Sequence, residues 1–428
     1  MNYPETLDYL FSQLPMYQRV GKAAYKANLD NTIALLRILN NPHEHFKSIH
    51  IAGTNGKGSV AHMLASIFQT AGYKTGLYTS PHLNDFRERI KINGQMIPED
   101  KVIDFVENYK SSFETIKPSF FEMTVGMAFQ YFADEKVDMA IIETGMGGRL
   151  DSTNLITPEL SIITNIGLDH MQFLGDTLGK IAREKAEIIK PGIPIIIGRK
   201  QLETQEVFIE KALQHKTNIY FAEECFDAKR LTNSTLEFSV YDVWRESELY
   251  IEHLQCPLLG EYQSENIVTV IQACELLAEK YGLSVNLVKE GIEDVISNTG
   301  LKGRWQILSK NPLTICDTGH NKDGITAVVN QLKGIQCNQL HFVLGFVNDK
   351  NITDLLNLLP HNATYYFCRA DIPRAMDEEV LEEQAHKAGL RGECYNSVRE
   401  AYNSAVNNAT SNDMVFIGGS TFVVAEVV

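Results

Sequence analysis

The residues best suited to chemistry lie in the glycine-rich stretch Gly53-Thr-Asn-Gly-Lys-Gly-Ser59. Three glycines let the backbone turn tightly, so that its N–H groups converge on phosphate oxygens, and Lys57 adds a positive charge. An ordinary glycine-rich turn is the alternative, but a lysine embedded in such a turn favours phosphate binding. We predict that the whole stretch binds nucleotide phosphate through Gly53, Thr54, Asn55, Gly56, Lys57, Gly58 and Ser59.

The flanking elements fit this prediction. An apolar run predicts a strand at Lys47–Gly53, and apolar residues with i, i+3, i+4 spacing predict a buried helix from Val60 that ends at Gly72. In the common phosphate loop Ser or Thr follows the lysine directly, whereas here Gly58 intervenes. The stretch is therefore a variant of that loop, placed between a strand and a helix.

Three more polar residues lie at or just beyond the ends of predicted strands, namely Ser80, Glu143 and His170. Ligand sites of open parallel sheets gather at that edge. A hydroxyl, a carboxylate and an imidazole suit a divalent ion that also holds ATP phosphates, although Mg²⁺ prefers oxygen to nitrogen. The alternatives are a cap before Pro81, an ion pair between Glu143 and Arg149, and a hydrogen-bonded loop histidine.

The coarse pattern of the chain predicts an α/β fold with two domains. Strands alternate with helices, which favours a mainly parallel sheet, and 428 residues exceed what one core usually supports. Alternation in 236–240 and 248–252 suggests an antiparallel ribbon at the sheet edge, and Ser297–Gly300 is the candidate interdomain linker. We predict an N-terminal ATP-binding domain at 1–297, with a P-loop-type sheet flanked by helices. A smaller C-terminal α/β domain is predicted at 298–428, with strands near Leu313–Cys316, Leu340–Leu344, Thr364–Phe367 and Val415–Ile417.

Composition narrows the class of partner. Asp and Glu outnumber Lys and Arg by 54 to 39, giving a net charge of −15, which disfavours nucleic acid or an anionic membrane as the main partner. Seven scattered cysteines without a Cys-x-x-Cys pair favour reduced thiols, and neither a signal peptide nor an apolar run of about 20 residues is apparent. We expect a cytoplasmic monomer that acts on small molecules.

Several motifs, taken in order, resemble the folylpolyglutamate synthases and dihydrofolate synthases, a branch of the Mur-type peptide ligases. The resemblance covers nearly the whole chain. It rests on Gly53–Ser59, Thr79-Ser-Pro-His-Leu83, Glu88-Arg-Ile90, Glu143-Thr-Gly-Met-Gly-Gly-Arg149 with Leu-Asp-Ser-Thr-Asn154, Leu168-Asp-His170, Glu184-Lys-Ala186, Gly303-Arg-Trp305, Asp317-Thr-Gly-His-Asn321 and Gly419-Ser420. The resemblance implies an acid–amino-acid ligase that uses ATP and Mg²⁺.

The resemblance also implies roles for individual residues. Ser80, Glu143 and His170 match Mg²⁺ ligands, and Lys185 matches a carbamylated lysine that helps to hold a second Mg²⁺. A surface lysine paired with Glu184 or Glu187 is the alternative for Lys185.

Four further matches concern ATP and the amino acid. Asn266 matches a residue near adenine, and Arg304 matches an arginine that reaches ATP phosphate. Asp317 and His320 match residues near the ribose and the incoming amino acid, although Asp317-Thr-Gly departs from the usual Asp-Gly-Ala. Ser420 is a weaker candidate for binding glutamate, with a plain glycine-rich turn as its alternative. Catalytic roles are thus implied for Lys57, Lys185, Arg304 and His320.

The implied chemistry is carboxylate activation. A pteroate or folate carboxylate would attack the γ-phosphate of ATP, and the amine of L-glutamate would then displace phosphate from the acyl phosphate. The loop from Thr79 to Gly94 is expected to face a pterin, and both dihydropteroate and a reduced folate are expected as substrates. A cell-wall ligase acting on a UDP-linked muropeptide is the nearer alternative. A GTPase is the more distant one, because Asp176-Thr-Leu-Gly179 and Asn321-Lys-Asp323 only partly fit its motifs.

Overall fold

The computed structural model describes residues 1–13, 28–348 and 352–428. Contacts divide the chain into two compact units. The first unit comprises Met1–Ser234, Ser239–Pro257 and Gln263–Gly300, and the second comprises Thr235–Phe238, Leu258–Tyr262 and Leu301–Val428. Among the described residues, no helix combines the length and the hydropathy needed to cross a bilayer.

The first unit is built on an eight-stranded sheet in the order β4-β3-β2-β5-β1-β6-β7-β8. Its strands are β1 Lys47–Ala52, β2 Thr75–Tyr78, β3 Ile90–Ile92, β4 Gln95–Met96, β5 Met139–Glu143, β6 Leu160–Ile163, β7 Ile195–Ile197 and β8 Ile219–Phe221. The six neighbouring strands β2, β5, β1, β6, β7 and β8 are parallel to one another. In the same sheet, β3 pairs antiparallel with both β2 and β4. The four central strands β2, β5, β1 and β6 are wholly or almost wholly buried, as parallel strands covered by helices on both faces should be.

Helices cover this sheet. They are α1 Tyr3–Gln13, α2 Asp30–Ile38, α3 Lys57–Thr70, α4 Glu99–Ile116, α5 Phe120–Asp134, α6 Met171–Leu174, α7 Leu178–Ala186, α8 Gln205–Gln214, α9 Ala222–Cys225, α10 Gln263–Tyr281, α11 Val285–Glu293 and α12 Val295–Thr299. Short 3₁₀ helices lie at Pro42–Glu44, Phe86–Arg89 and Ser152–Leu155. The start of α5 shows how sequence sets such boundaries, because Ser119 and Glu122 form a reciprocal capping box there.

One expectation about the first unit was wrong, and a second was wrong only in local structure. The antiparallel ribbon does not extend the main sheet: β9 Phe226–Arg230, β10 Ser239–Arg245 and β11 Glu248–Cys256 form a separate three-stranded sheet packed on α10 and α11. The predicted linker Ser297–Gly300 lies where the first unit ends, but it is helical and not a turn: Ser297–Thr299 end α12, and Gly300 terminates the helix in the left-handed conformation. Thr299 is 1% exposed, so packing overrides the turn-forming tendency of this polar stretch.

The second unit has a six-stranded sheet in the order β12-β13-β17-β14-β15-β16. Its strands are β12 Gln306–Lys310, β13 Leu313–Cys316, β14 Leu340–Leu344, β15 Thr364–Cys368, β16 Arg391–Tyr395 and β17 Met414–Gly418. Its helices are α13 Lys322–Lys333, α14 Thr353–Leu356, α15 Glu378–Lys387, α16 Val398–Asn408 and α17 Thr421–Ala425. Of the six strands named here, β12 alone pairs antiparallel, so both units have the expected α/β architecture. The boundary between 1–297 and 298–428 stays a prediction.

Candidate active site

The glycine-rich loop Gly53–Ser59 joins the end of β1 to the start of α3, as the sequence predicted. Gly53 and Gly56 have φ angles of 147° and 85°. A Cβ on Gly53 would lie 1.9 Å from Thr164 Oγ1, and a Cβ on Gly56 would lie 2.3 Å from Asn266 Oδ1. Both positions therefore require glycine for two reasons: the backbone has a positive φ angle, and a neighbouring side chain approaches too closely to leave room for a Cβ.

The segment that follows β6 holds this loop in place. The N–H of Thr54 donates to Asn165 O over 2.9 Å, and the N–H of Asn55 donates to Asn165 Oδ1 over 2.9 Å. Thr164 Oγ1 in turn donates to Asn55 O over 2.5 Å. These two N–H groups are already used within the protein, so the N–H groups open to phosphate are those of the later loop residues, and phosphate binding by the loop stays a prediction. There α3 begins, and the first N–H groups of a helix have no acceptor within it.

Two ammonium groups converge on the carbonyls of this loop. Lys57 Nζ donates to Gly53 O and to Thr54 O, each over 3.2 Å. Lys185, on α7, is 4% exposed and its Nζ donates to Gly53 O over 2.7 Å. Burial, together with the nearby Lys57 charge, lowers the pKa of Lys185 from 10.5 to about 7. Lys185 thus brings a second amine, from outside the loop, to the same carbonyl that Lys57 contacts.

The surface-pair alternative for Lys185 is wrong. Glu184 pairs instead with Arg149 over 3.0 Å, and Glu187 pairs with Lys211 over 2.8 Å. The same Arg149–Glu184 contact removes the second alternative, in which Arg149 would have served as the partner of Glu143. Both carboxylates expected to neutralise Lys185 are used elsewhere, because α7 directs them away from the buried face that carries Lys185.

Ser80 and Glu143 lie at the same edge of the sheet as the loop. Glu143 ends β5, beside Ile51 of β1, and is 4% exposed. The N–H of Ser80, just after β2, donates to Glu143 Oε2 over 3.3 Å. The carboxyl ends of β2, β5, β1 and β6 meet here because these neighbouring strands are parallel. The structure therefore brings Ser80 and Glu143 together, as the strand pattern predicted.

His170 lies in the segment between β6 and α7, where it precedes α6 in the left-handed conformation at a φ of 49°. Its N–H donates to Asp169 Oδ1 over 2.9 Å. Across the described ranges, no group of three or more His, Cys, Asp or Glu side chains could hold a metal ion. Any ion at this edge would need oxygen ligands of other kinds, such as the Ser80 hydroxyl or a phosphate. The ligand roles of Ser80, Glu143, His170 and Lys185 stay predictions.

The structure places Asn266 in the first turn of α10, against the loop. The side chain is 4% exposed, its Oδ1 faces Gly56, and its Nδ2 donates to Gln263 Oε1 over 2.8 Å. Gln263 Nε2 in turn donates to Ser59 Oγ over 3.2 Å. The proximity of Asn266 to the loop agrees with a nucleotide site, and its adenine contact stays a prediction. Sequence reasoning missed Gln263, which only the fold brings to Ser59.

In the second unit, Asp317 at the end of β13 is the centre of a hydrogen-bonded group. Its Oδ2 accepts from the Tyr262 hydroxyl over 2.6 Å and from Trp305 N over 2.7 Å, and its Oδ1 accepts from Gly319 N over 2.8 Å. Burial raises the pKa of Asp317, while these donors and Arg304 oppose the rise. Sequence reasoning missed Tyr262, whose hydroxyl pKa is raised by burial and by Asp317.

The other predicted residues of the second unit surround the same edge of its sheet. Arg304 donates to Gly303 O over 3.2 Å and contacts the Thr318 hydroxyl. The ring of His320 bonds through Nδ1 to Thr318 O over 2.9 Å. Ser420 caps α17 by accepting from Phe422 N over 3.2 Å, which is the capping role of a plain turn residue. The roles of Arg304, Asp317 and His320 toward ATP or glutamate stay predictions.

A buried arginine near the first site also escaped the sequence reasoning. Arg89 is 3% exposed, its Nε donates to His82 Nδ1 over 2.7 Å, and its guanidinium lies 5.2 Å from the centre of the Phe120 ring. Burial, with help from Arg89, lowers the pKa of His82 to about 3, so His82 is a neutral acceptor. This pair holds the loop that contains Ser80. Arg89 lies inside the motif Glu88-Arg-Ile90, which was the available signal.

Comparisons with known proteins agree with this arrangement. Residues 51–274 match the Mur ligase middle domain, and residues 303–421 match the Mur ligase, glutamate ligase domain. The dihydrofolate synthase/folylpolyglutamate synthase of Bacillus subtilis is 30% identical over 418 residues, covering 95% of both proteins. A probable bifunctional folylpolyglutamate synthase/dihydropteroate synthase of Haloferax volcanii is 31% identical over 433 residues, and the chain spans 50% of its length.

Among solved structures, E. coli FolC in complex with DHPP and ADP superimposes with a TM-score of 0.86 at 28% identity. The match covers 100% of this chain and 97% of that one. The chain belongs to the folylpolyglutamate synthase/dihydrofolate synthase family of Mur-type ligases.

Proposed function

We propose that this chain joins L-glutamate to the carboxylate of dihydropteroate and of reduced folates, with cleavage of ATP to ADP and phosphate. The observation that carries the proposal is the glycine-rich loop, where two ammonium groups meet at a helix N-terminus on glycines that no side chain could replace. Relatives of nearly the same length bear the names of both activities, and the FolC structure contains ADP.

The residues at this edge fit a Mg²⁺ ion that is shared with nucleotide phosphate. Ser80, Glu143 and His170 would supply three ligands, and phosphate oxygens would supply others, as is usual for Mg²⁺. When bound, Mg²⁺ would offset the negative charge of the phosphates. Because Mg²⁺ prefers oxygen, His170 is the least typical member of the set.

We further propose that Lys185 is carbamylated and helps to hold a second Mg²⁺. The ammonium is buried against Gly53 O, and its pKa of about 7 leaves much of the amine neutral at physiological pH. A neutral amine attacks the carbon of CO₂, forms a C–N bond and loses a proton, which gives an anionic carbamate. The carbamate would replace a buried positive charge with a negative group able to bind a cation.

The chain's own groups account for carboxylate activation. The substrate carboxylate attacks the γ-phosphorus of ATP, and ADP leaves, so that charge shifts toward the β-phosphate. Lys57 and the N-terminus of α3 offer fixed positive potential for that charge. The amine of glutamate then attacks the acyl carbon, and phosphate leaves. Arg304, Asp317 and His320 would bind ATP and glutamate in this scheme, in a cytoplasmic, monomeric enzyme.

A substrate panel tests the proposal. ADP release should depend on glutamate with dihydropteroate and with a reduced folate monoglutamate, and each reaction should yield the glutamylated product by mass spectrometry. A UDP-linked muropeptide should give no product, which is the outcome that separates this function from the cell-wall alternative. Activity with only one folate substrate would reduce the proposal to a monofunctional enzyme, and activity with neither would overturn it.

A further inference from the structure

A buried chain of hydrogen bonds lies beneath the candidate metal edge and is not used by the proposed chemistry. His50, on β1, is fully buried, and its Nε2 lies 2.8 Å from Thr153 Oγ1. The Thr153 hydroxyl donates to Asp151 Oδ1 over 2.6 Å. Asp151 is 4% exposed and Thr153 is fully buried. We call these three side chains the buried relay.

The direction of each bond in the relay follows from the chemistry of its members. Ionised Asp151 can only accept, so the Thr153 hydroxyl must donate to it and can then only accept from His50. This fixes His50 as the Nε2–H tautomer. Among the described residues, buried His50 Nδ1 has no hydrogen-bond partner, and burial lowers the His50 pKa to about 3, helped by the Lys190 charge. The imidazole is therefore neutral at working pH and has a single orientation.

At its other end the relay holds the loop from Thr144 to Asp151, which begins directly after Glu143. Asp151 Oδ2 accepts from Gly145 N and from Met146 N, each over 2.8 Å. The carboxylate thus fixes the backbone of the second and third residues beyond the candidate ligand Glu143. With both oxygens engaged, Asp151 has little freedom to rotate.

The far end of the same loop rests on α7, which carries Lys185. Arg149 N donates to Glu184 O over 2.9 Å. A Cβ on Gly148 would lie 2.7 Å from Glu184 O and 3.0 Å from Lys185 O, so the backbone of the loop packs directly against this turn of helix. The loop 144–151 therefore connects Glu143 to the turn of α7 that carries Lys185, and hydrogen bonds hold it at both ends.

We propose that His50, Thr153 and Asp151 are positioning residues that set the separation between Glu143 and Lys185, and so tune the affinity of this edge for a divalent cation. The inference rests on the proposed function, because it takes Glu143 and Lys185 as ligands. Hydrogen-bond partners that orient ligands typically change metal affinity by about 10- to 100-fold when they are removed.

The test compares Thr153→Val with Thr153→Ser. Valine has the shape of threonine without the hydroxyl and breaks both bonds of the relay, whereas serine keeps the hydroxyl. Mn²⁺ is titrated into each full-length protein in bicarbonate buffer, and free Mn²⁺ is followed by electron paramagnetic resonance. We expect Thr153→Val to bind Mn²⁺ about 10- to 100-fold more weakly and Thr153→Ser to bind it within about 3-fold of the wild type.

Equal Mn²⁺ affinity in folded Thr153→Val and wild type would overturn the relay, whatever happens to thermal stability. If Thr153→Val does not fold, His50→Leu and His50→Gln serve in its place, since glutamine keeps an N–H donor and leucine does not. Equal affinity in that pair would likewise overturn the relay. A wild type that binds no Mn²⁺ but ligates glutamate in the presence of Mg²⁺–ATP would overturn the relay and leave the proposed function intact. A wild type that binds Mn²⁺ but ligates nothing would instead remove the proposed function.

Discussion

The two sheet edges that carry the candidate residues differ in how their buried charged groups are satisfied. At the edge of the first unit, Lys57 and Lys185 donate to backbone carbonyls of the glycine-rich loop, while the charges of Asp169 and Asp151 only partly offset the cost of burying Lys185. At the edge of the second unit, the carboxylate of Asp317 lies at the centre and three protein groups donate to it. The ammonium groups of the first edge could still bind an anionic ligand. At the second edge, the carboxylate of Asp317 is already hydrogen-bonded to protein donors.

The difference separates two ways of building a site. A buried cation without a carboxylate partner costs stability and is retained where a ligand supplies the missing charge. A carboxylate with three donors contributes to stability and fixes the local backbone. We therefore expect substitutions at the first edge to cost mainly activity and substitutions at the second edge to cost stability as well. The predictions below test this contrast.

The largest expected effect is that of Lys57→Ala. Loss of a fixed charge from an anion site should lower the rate of glutamate ligation by about 10²-fold or more. The unfolding free energy should change little, because within the part of the chain that the structure describes Lys57 Nζ donates to two carbonyls of its own loop. Steady-state ADP release and thermal unfolding measure the two quantities. Lys101→Ala, at an exposed lysine of α4, is the control, and near-normal turnover in folded Lys57→Ala would contradict the assignment.

A comparable loss of activity is expected for Lys185→Ala, with a distinctive rescue. If the lysine acts as a carbamate, a small carboxylate such as acetate should restore part of the lost activity by entering the vacated space. Rates measured against acetate concentration test this, with Lys180→Ala on the same helix as the control, since Lys180 is more than half exposed. Full activity without acetate, together with an unmodified lysine by mass spectrometry of the intact protein, would contradict carbamylation.

The third prediction concerns pH and the cost of burying Lys185. Its folded pKa of about 7 lies below the unfolded value of 10.5, so between these values the unfolded chain binds more protons than the folded one. The unfolding free energy should therefore rise with pH from about 7 to 10, by on the order of a few kcal/mol. Denaturant unfolding in CO₂-free buffer measures it. Lys185→Met should lack this rise and be more stable at pH 7, whereas a parallel rise in both proteins would contradict the buried ammonium.

The smallest effect is expected for Asp317→Asn in the second unit. An amide presents one acceptor and one donor, so at least one of the N–H groups of Trp305 and Gly319 would face a donor instead of an acceptor. We expect a loss of about 1–3 kcal/mol in unfolding free energy. Asp323→Asn, at an exposed position of α13, should change stability by less than about 0.5 kcal/mol. Unchanged stability in Asp317→Asn would remove the contrast between the two edges.

Local features of the sequence determined the element types, the glycine-rich loop and the family. The strand pattern predicted strands near Leu313–Cys316 and Leu340–Leu344, and the structure has strands with the same bounds. Lys57 between two glycines marked the loop because the required conformations and charge are properties of adjacent residues. Such features depend on residues a few positions apart along the chain, so they can be recognised without knowing which distant residues are close in space.

Only the tertiary structure decided which distant residues meet. Lys185 reaches Gly53 across 132 positions, Gln263 reaches Ser59 across 204, and His50 reaches Thr153 across 103. Packing also made a helix of Ser297–Thr299, whose polar residues alone suggested a turn. Hydrogen bonds, burial and the pKa of a buried amine depend on what surrounds a side chain in space. For this reason a sequence motif was enough to identify Lys185 as a candidate, whereas its burial and its lowered pKa follow only from the fold.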